Sequence, residues 1–294
     1  MRRIRIILLI AAGGLLTLLG LFLVLRSLLP RPIPFDGPRA YRDVLTQMSF
    51  GPRTVGSPAH DQEVDWLQAE LEKAGWQVQV QTAQALGHPI QNVVARRGNA
   101  VPRIVLGAHY DSRLLADQDR GPGSAGPVPG ANDGASGVAV LLELARSLPS
   151  SSPPVELVFF DAEDNGNLPG WDWLLGSRAY VAALTFRPQA AIVLDMIGDK
   201  DLNIYEEQNS NPALVAAIWK QAATLGYQSE FIPQVKYSME DDHTPFLQAG
   251  IPAVDIIDFD YPYWHTAQDT ADKVSAGSLA IVGRTVWSWL TAQK

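Results

Sequence analysis

The stretch VELVFFDAED, residues 155–164, joins a six-residue strand pattern to a cluster of acidic side chains. Similar short, mostly apolar runs recur along the chain at residues 78–82, 92–97, 103–109, 190–195 and 252–258. Runs of this length that are apolar almost throughout are typical of strands buried on both faces of a sheet. The sequence therefore predicts a large, buried central sheet.

Helical patterns separate several of these strands. Ser57 and Pro58 form a typical helix start, and apolar residues then recur at helical spacing until Gly75. Further helical patterns occupy residues 134–148, 176–184, 212–226 and 278–290. The alternation predicts an α/β domain with a mostly parallel central sheet sandwiched by helices. In such folds, ligands bind beyond the carboxyl ends of the strands.

The amino terminus carries an uncharged run from Ile6 to Leu25 that follows three arginines. A helix of this length can cross a hydrocarbon core of about 30 Å. No small-residue cleavage pattern follows, so we expect a retained signal anchor rather than a buried core helix. Positive charge before the run favours an amino terminus inside and the remainder outside the cytoplasm, although Arg26 weakens this asymmetry.

Composition limits the possible architectures and partners. Prolines 30, 32, 34 and 38 predict a stiff linker, so we divide the chain into an anchor and linker, residues 1–32, and one large domain, residues 33–294. The net charge of -8, without any stripe of basic residues, argues against nucleic acid as a partner. The absence of cysteine excludes disulfides and thiolate metal ligands.

Imidazole and carboxylate side chains cluster where the predicted strands end or a helix begins. Taken singly, each has another explanation: Asp133 suits a helix N-cap, and a lone His265 suits a hydrogen-bonded surface position. Together, in a chain with only 18% charged residues, they are the ligand set of a site for one or two zinc ions. The residues concerned are His109, Asp111, Asp133, Glu163, Asp164, Asp195 and His265.

In order, type and spacing, these residues resemble the zinc-dependent aminopeptidases of the co-catalytic type and their relatives, the glutaminyl cyclases. The resemblance extends from GPRTVGSP (51–58) to DTADKVS (269–275). It implies a zinc exopeptidase fold, a catalytic role for the domain of residues 33–294, and the amino-terminal ends of peptides or proteins as substrates.

The resemblance also implies a role for each position. Asp133 corresponds to the central metal-bridging aspartate, and Asp164 and His265 to further zinc ligands. Position 164 is commonly glutamate in the family. The aspartate of this chain has a shorter side chain, but its carboxylate can still supply an oxygen ligand to the metal. Glu163 corresponds to the general base. His109, oriented by Asp111, and Asp195 belong to a second metal site or to the residues behind the first.

Three features resemble the cyclase branch in particular. MEDDHTPF (239–246) carries Asp241 directly before a second aspartate, and Trp264 precedes the last ligand in a W-H-T sequence. Trp171 and Trp173 follow the base in a loop similar to the indole-lined wall of the cyclase pocket. Ordinary packing is the other explanation for these tryptophans.

Two enzymatic mechanisms and one non-enzymatic role remain open. In a cyclase, one zinc ion polarises the γ-carbonyl of an amino-terminal glutamine, whose own amine attacks while Glu163 transfers the proton. Asp195 and Asp241 then share hydrogen bonds with Glu163, and Trp173 and Trp264 exclude water. In an aminopeptidase, two zinc ions bridged by Asp133 activate water. A non-catalytic ectodomain is disfavoured because every expected ligand is present. We expect one zinc ion, with two as the alternative.

Overall fold

The computed structural model describes residues 33–119 and 126–293. The predicted anchor and linker at residues 1–32 lie outside this part of the chain. Within the described residues, none of the helices has the length and apolar character needed to span a membrane. The residues from Phe35 to Lys294 form one compact unit.

The centre of the domain is a six-stranded sheet, which lies beside a separate parallel pair of strands. The strands are β1 (Gln77–Ala85), β2 (His88–Arg96), β3 (Ile104–His109), β4 (Val155–Phe160), β5 (Ala190–Asp195), β6 (Ile204–Glu207), β7 (Phe231–Tyr237) and β8 (Ala253–Ile257). The large sheet has the order β1-β2-β4-β3-β5-β8, and β6 and β7 form the pair. The pairs β4–β3, β3–β5 and β5–β8 are parallel, and β2 runs antiparallel to both of its neighbours. The predicted α/β domain with a central sheet is confirmed.

Local sequence explains this topology. Leu86 and Gly87, the two residues between β1 and β2, have φ angles of 52° and 87°, as the tight hairpin turn of an antiparallel pair requires. Every residue of β3, β4, β5 and β8 is buried, which explains why these strands are apolar almost throughout. The parallel part of the sheet is therefore the covered part, and its carboxyl edge is the place for a site.

Helices cover both faces of the sheet. They are α1 (Gly37–Phe50), α2 (Pro58–Lys73), α3 (Ala135–Ser147), α4 (Leu175–Ala182), α5 (Pro212–Thr224), α6 (Thr244–Gln248) and α7 (Ala276–Ala292), with a short 3-10 helix at Ala271–Lys273. On one face, α3 packs against β3, and α1 and α7 pack against α3. On the other face, side chains of α4 and α6 join a core cluster with residues of β3, β4 and β5.

Four elements differ from the sequence prediction: helix α1, strands β6 and β7, and the short helix α6. Pro38, assigned above to a stiff linker, lies in the first turn of α1, where its missing N–H removes no helical hydrogen bond. Asp36 caps this helix by accepting a hydrogen bond from the backbone N–H of Arg39 at 3.0 Å. Strand β7 (FIPQVKY) had no periodic signal because it contains a proline and is mostly exposed, and β6 and α6, with four and five residues, are too short to show one.

Candidate metal centre

The parallel strands bring the predicted ligands to one edge of the sheet. His109 is the last residue of β3 and Asp195 the last residue of β5, and these strands are direct neighbours. Glu163 and Asp164 follow β4, the neighbour of β3 on its other side. Asp133 lies just before α3, whose N-cap is Gly134 and which no side chain caps. The N-cap explanation for Asp133 is therefore wrong.

Two groups of ligand atoms meet at Asp133. In the first, Nε2 of His109 lies 3.1 Å from Oδ1 of Asp133 and 3.1 Å from Oδ1 of Asp195. In the second, Nε2 of His265 lies 2.7 Å from Oδ1 of Asp164 and 3.8 Å from Oδ2 of Asp133. Within each group, the three ligand atoms lie within 4.8 Å of one another. The structure thus brings together all five residues predicted as metal ligands.

The group of Asp133, Asp164 and His265 fits a zinc ion. Zinc binds nitrogen and oxygen at about 2.0–2.2 Å, so ligand atoms on one tetrahedral ion stand about 3.3–3.6 Å apart, close to the spacing here. Oδ2 of Asp133 and Oδ2 of Asp164 are buried without a hydrogen-bond partner. Because an unpaired buried carboxylate oxygen is costly, a cation held by Asp133 and Asp164 would satisfy these two atoms.

Burial controls the ionisation of the ligand carboxylates. Burial raises the pKa of Asp164 to about 6, and the negative charge of Asp133 adds to this effect. Burial likewise raises the pKa of Asp195 to about 7, against the opposing hydrogen bond from His109. Burial also opposes ionisation of Asp133, yet the hydrogen bond and charge of His109 bring its pKa below the ordinary value. Asp133 is therefore the most acidic carboxyl of these three.

Glu163 has the environment expected of a general base that must also act as an acid. Burial raises its pKa well above the ordinary value, and the negative charges of Asp164, Asp241 and Asp242 raise it further. The charge of His109 opposes them. A carboxyl with a raised pKa takes up and releases a proton nearer to neutral pH.

Asp111 holds the turn that presents Glu163 and Asp164. Its two carboxylate oxygens accept the backbone N–H groups of these residues at 3.0 and 3.3 Å. Its Oδ1 also lies 3.6 Å from Nδ1 of His109, behind the imidazole. The Asp111 carboxylate thus lies behind the His109 ring without a hydrogen bond to it, and its predicted orienting role stays a prediction.

The backbone at the site is strained at three residues. Ala162, Met196 and His265 have φ angles of 53°, 47° and 54°, in the left-handed region that residues with a side chain rarely adopt. Ala162 precedes Glu163, and Met196 follows Asp195. Such strain persists only where the surroundings impose it, as at binding sites.

Three positioning residues escaped the sequence analysis. Asp269 accepts the backbone N–H groups of Asn132 and Asp133 at 2.8 and 3.1 Å. The carboxamide oxygen of Asn132 accepts the N–H of Gly198 at 2.7 Å, which ties the Asp133 turn to the segment after β5. Arg53 is fully buried and donates to the carbonyl oxygens of Tyr110, Pro129 and Gly130. These partners are far apart in sequence, so no local signal marks them.

The two predicted pocket tryptophans lie against the ligand His265. The ring centroid of Trp264 is 3.7 Å from the imidazole, with 24° between the planes, and that of Trp173 is 6.0 Å away, with 18°. Arg113 stacks over Trp173 with its guanidinium carbon 5.2 Å from the ring centroid. A Cβ atom at Gly166 would overlap the Trp173 indole, so this glycine makes room for it. The position of both indoles beside a ligand indicates a pocket wall.

Asp241 belongs to a third buried group, with His243 and Asp255. Nε2 of His243 lies 3.3 Å from Oε2 of Glu207, and its Nδ1 lies 3.9 Å from Oδ2 of Asp255. The predicted hydrogen bonds from Asp195 and Asp241 to Glu163 are absent among the described residues. Asp195 instead shares a hydrogen bond with Nε2 of His109, and the negative charge of Asp241 raises the pKa of Glu163.

Glu207 anchors this third group and was also missed, because it ends the unpredicted strand β6. It accepts hydrogen bonds from the backbone N–H groups of Asn209, Ser210 and Met239 and from the Ser210 hydroxyl, at 2.7–3.0 Å. Burial opposes ionisation of Glu207, but the nearby His243 and these donors lower its pKa to about 2. Glu207 is thus an ionised partner for the buried His243.

The fold and the site together define a metal-dependent α/β enzyme with histidine and carboxylate ligands. Comparison with known proteins places it more narrowly: the model of peptidase family M28 matches residues 92–290. The chain therefore belongs to peptidase family M28. The resemblance to zinc-dependent aminopeptidases and glutaminyl cyclases is confirmed, and with it the prediction of an enzyme.

Individual relatives include both kinds of protein. The chain is 30% identical over 270 residues to a glutaminyl-peptide cyclotransferase of Boiga dendrophila, covering 76% of this chain and 72% of that one. The glutaminyl cyclase of Porphyromonas gingivalis is 36% identical, with a TM-score of 0.83 and coverage of 88% and 99%. A Zn-dependent exopeptidase of Parabacteroides distasonis is 30% identical, with a TM-score of 0.83 and coverage of 89% and 100%.

Proposed function

We propose that this chain is a zinc-assisted glutaminyl-peptide cyclotransferase, which converts the amino-terminal glutamine of a peptide or protein into pyroglutamate and releases ammonia. The observation that carries the proposal is the placement of Trp173 and Trp264 against His265. Two indole rings beside the metal site exclude water from the reacting groups, which favours attack by the substrate's own amine over hydrolysis. The similarity to glutaminyl cyclases supports the same activity.

In this proposal, Asp133, Asp164 and His265 hold the zinc ion. Bound there, zinc supplies Lewis-acid polarisation of the substrate's γ-carbonyl. The free α-amine then forms a bond to the γ-carboxamide carbon, and the bond from this carbon to the amide nitrogen breaks. Ionised Glu163 accepts the proton that the amine loses and donates it to the departing nitrogen, which leaves as ammonia. The raised pKa of Glu163 suits both halves of this transfer.

We assign one zinc ion to the site, with His109 and Asp195 behind it. Nε2 of His109 lies 3.1 Å from both Asp133 and Asp195, so the imidazole bridges two carboxylates and holds Asp133 toward His265. Metal analysis of the purified chain tests this assignment, and a content of one zinc per chain is expected. Two tightly bound ions per chain would contradict it.

The alternative is a zinc-dependent aminopeptidase. His109, Asp133 and Asp195 form a group that suits a second metal ion, and Asp133 is shared between the two groups. A Zn-dependent exopeptidase is among the similar structures. In this case water is the nucleophile, and Glu163 is its base.

Mass spectrometry of peptides that begin with glutamine separates the two activities. The zinc-loaded full chain is expected to remove one ammonia from such a peptide and to leave its length unchanged. Release of a free first residue would favour the aminopeptidase instead. Glu163→Gln keeps the shape of the side chain, so it serves as the matched control: turnover is lost and zinc content persists. Retained turnover in that variant would refute the role of Glu163.

We also propose that residues 6–25 anchor the chain in a membrane with its catalytic domain outside the cytoplasm. The length and apolar character of the run and the arginines before it support this placement. The full chain is expected in the membrane fraction, and a variant lacking residues 1–32 in the soluble fraction. Full-length protein that is soluble without detergent would refute the anchor.

A further inference from the structure

A row of four aromatic rings leads away from the metal ligand His265. We name Trp264, Phe259, Tyr237 and Tyr205 the aromatic row. Trp264 stacks on His265, and Phe259 meets Trp264 edge to face with centroids 5.1 Å apart. The centroid of Tyr237 lies 5.3 Å from that of Phe259, and the centroid of Tyr205 lies 6.4 Å from that of Tyr237. The row is therefore continuous from the metal site to the small sheet β6–β7.

The aromatic row lies on chain segments that also contain residues of the metal site. Met239, two residues before Asp241, and Trp264 pack against a buried cluster that includes Met196, the residue after Asp195. All four rings of the row are only partly buried, so part of each contacts solvent. An aromatic surface that stays partly exposed and begins at a reaction centre is suited to bind a ligand that extends from that centre.

The spacing of the rings matches an extended peptide. An extended chain advances about 3.3 Å per residue, so each step of 5.1–5.3 Å between neighbouring rings covers between one and two residues. The outer end of the row is neutralised: Lys236 donates to both carboxylate oxygens of Asp260 at 2.7 Å, and Tyr237 also donates to Asp260. The surface beyond the metal site is thus lined by aromatic rings that meet edge to face, and at this end Lys236 lies over Tyr205 and Tyr237 and is paired with Asp260.

From these contacts we infer that the aromatic row binds the second and third residues of the substrate and selects aromatic or large apolar side chains there. This inference rests on the proposed function, because it needs the first residue to lie at the zinc site beside Trp264. The occupant is the same peptide whose amino terminus reacts. Selectivity arises because Tyr237 and Phe259 bury an apolar side chain and gain nothing from glycine.

Three peptide amides test the inference: Gln-Gly-Gly, Gln-Phe-Gly and Gln-Gly-Phe, each assayed with the zinc-loaded full chain. Partial burial of one phenyl ring is expected to raise kcat/KM by about tenfold over the glycine peptide at one or both positions, mainly through a lower KM. In Tyr237→Ala, this phenylalanine-to-glycine ratio is expected to fall to about two. Tyr237→Phe keeps the ring and loses only the hydroxyl, so its ratio stays near that of the parent chain.

Matched controls separate recognition from folding. Tyr227→Ala changes a partly buried tyrosine at the end of α5, outside the row, and is expected to leave the ratio unchanged. Tyr205→Ala changes the outer end of the row and serves if Tyr237→Ala fails to retain zinc; it is expected to lower the ratio for Gln-Gly-Phe. Turnover of all three peptides at equal kcat/KM by the parent chain would refute the inference and leave the proposed function intact. No turnover of any of them would refute the proposed function and the inference with it.

Discussion

Replacement of Glu63 by glutamine tests how strongly one buried carboxyl makes the stability of this fold depend on pH. Glu63 lies on α2, is fully buried, and has no hydrogen-bond partner at either carboxylate oxygen. Burial raises its pKa from 4.5 to about 8, although the charges of Arg53 and His60 oppose the shift. The folded protein therefore retains a proton on Glu63 that the unfolded chain releases above pH 4.5.

The sign and size of the effect follow from these two pKa values. A folded-state pKa above the unfolded value means that the contribution of Glu63 to stability is fully present below pH 4.5 and is lost as the pH rises towards 8. By this linkage the loss is about 1.4 kcal/mol at pH 5.5 and about 4 kcal/mol at pH 7.5. Glutamine has nearly the shape of protonated glutamate and does not titrate, so Glu63→Gln removes the loss.

Urea denaturation of the parent chain and the variant at these two pH values measures the difference. We expect Glu63→Gln to be more stable at both, with a gap that widens by about 2.5 kcal/mol between pH 5.5 and pH 7.5. Glu72→Gln, at an exposed position of the same helix, is the matched control and should leave the pH profile of the parent chain unchanged. A gap that stays constant with pH would refute the argued protonation of Glu63.

His265→Ala removes one of three zinc ligands, so zinc retained after dialysis against a chelator should fall from about one ion per chain to near zero; full retention would contradict the ligand assignment. Glu207→Gln removes the ionised partner of buried His243 and should lower the unfolding free energy by about 1–3 kcal/mol at pH 7. The zinc content should stay unchanged, and an unaltered melting temperature would argue against the pairing of Glu207 with His243. Gly166→Ala should displace the Trp173 indole and raise KM. Gly126 has open space at its Cβ position, so Gly126→Ala should leave KM unchanged. Equal KM values in the two variants would count against Trp173 as a pocket wall.

The candidate zinc ligands could be predicted from sequence because residues that follow parallel strands lie at the same edge of the sheet. Each strand ends at the same edge, so His109 at the end of β3 and Asp195 at the end of β5 meet without any knowledge of the loops. Asp164 and His265 follow the same logic, and their Nε2 to Oδ1 contact of 2.7 Å joins two strand ends that are distant in the chain. The predicted strand ends and one helix start thus supplied the candidate ligands, and the resemblance to the zinc aminopeptidases and glutaminyl cyclases supplied their roles.

The residues behind the ligands were not available in this way. Asp269 contacts Asp133 through the backbone, and a hydrogen bond to a main-chain N–H requires no particular residue type at the partner position. Glu207 approaches His243 from the end of β6, whereas Asp255 approaches it from β8 in the main sheet, so the contacts join segments that are far apart in the chain. The sequence of β7 shows no alternation of apolar and polar residues. Its strand conformation therefore depends on the tertiary contact with β6 and not on a local sequence preference. The sequence therefore identified the candidate metal ligands but not the residues that hold them in position.

The charge balance of the site connects its structure to its chemistry. Asp164, Asp241 and Asp242 surround Glu163, and each of these negative charges makes ionisation of Glu163 less favourable. A zinc ion held by Asp133, Asp164 and His265 would offset part of that charge and bring the Glu163 proton back towards exchange near neutral pH. The same ion would satisfy the buried Oδ2 atoms of Asp133 and Asp164, which have no other partner. The acidic cluster thus accounts for metal binding and for the proton transfer by Glu163 through one cause, an excess of buried negative charge.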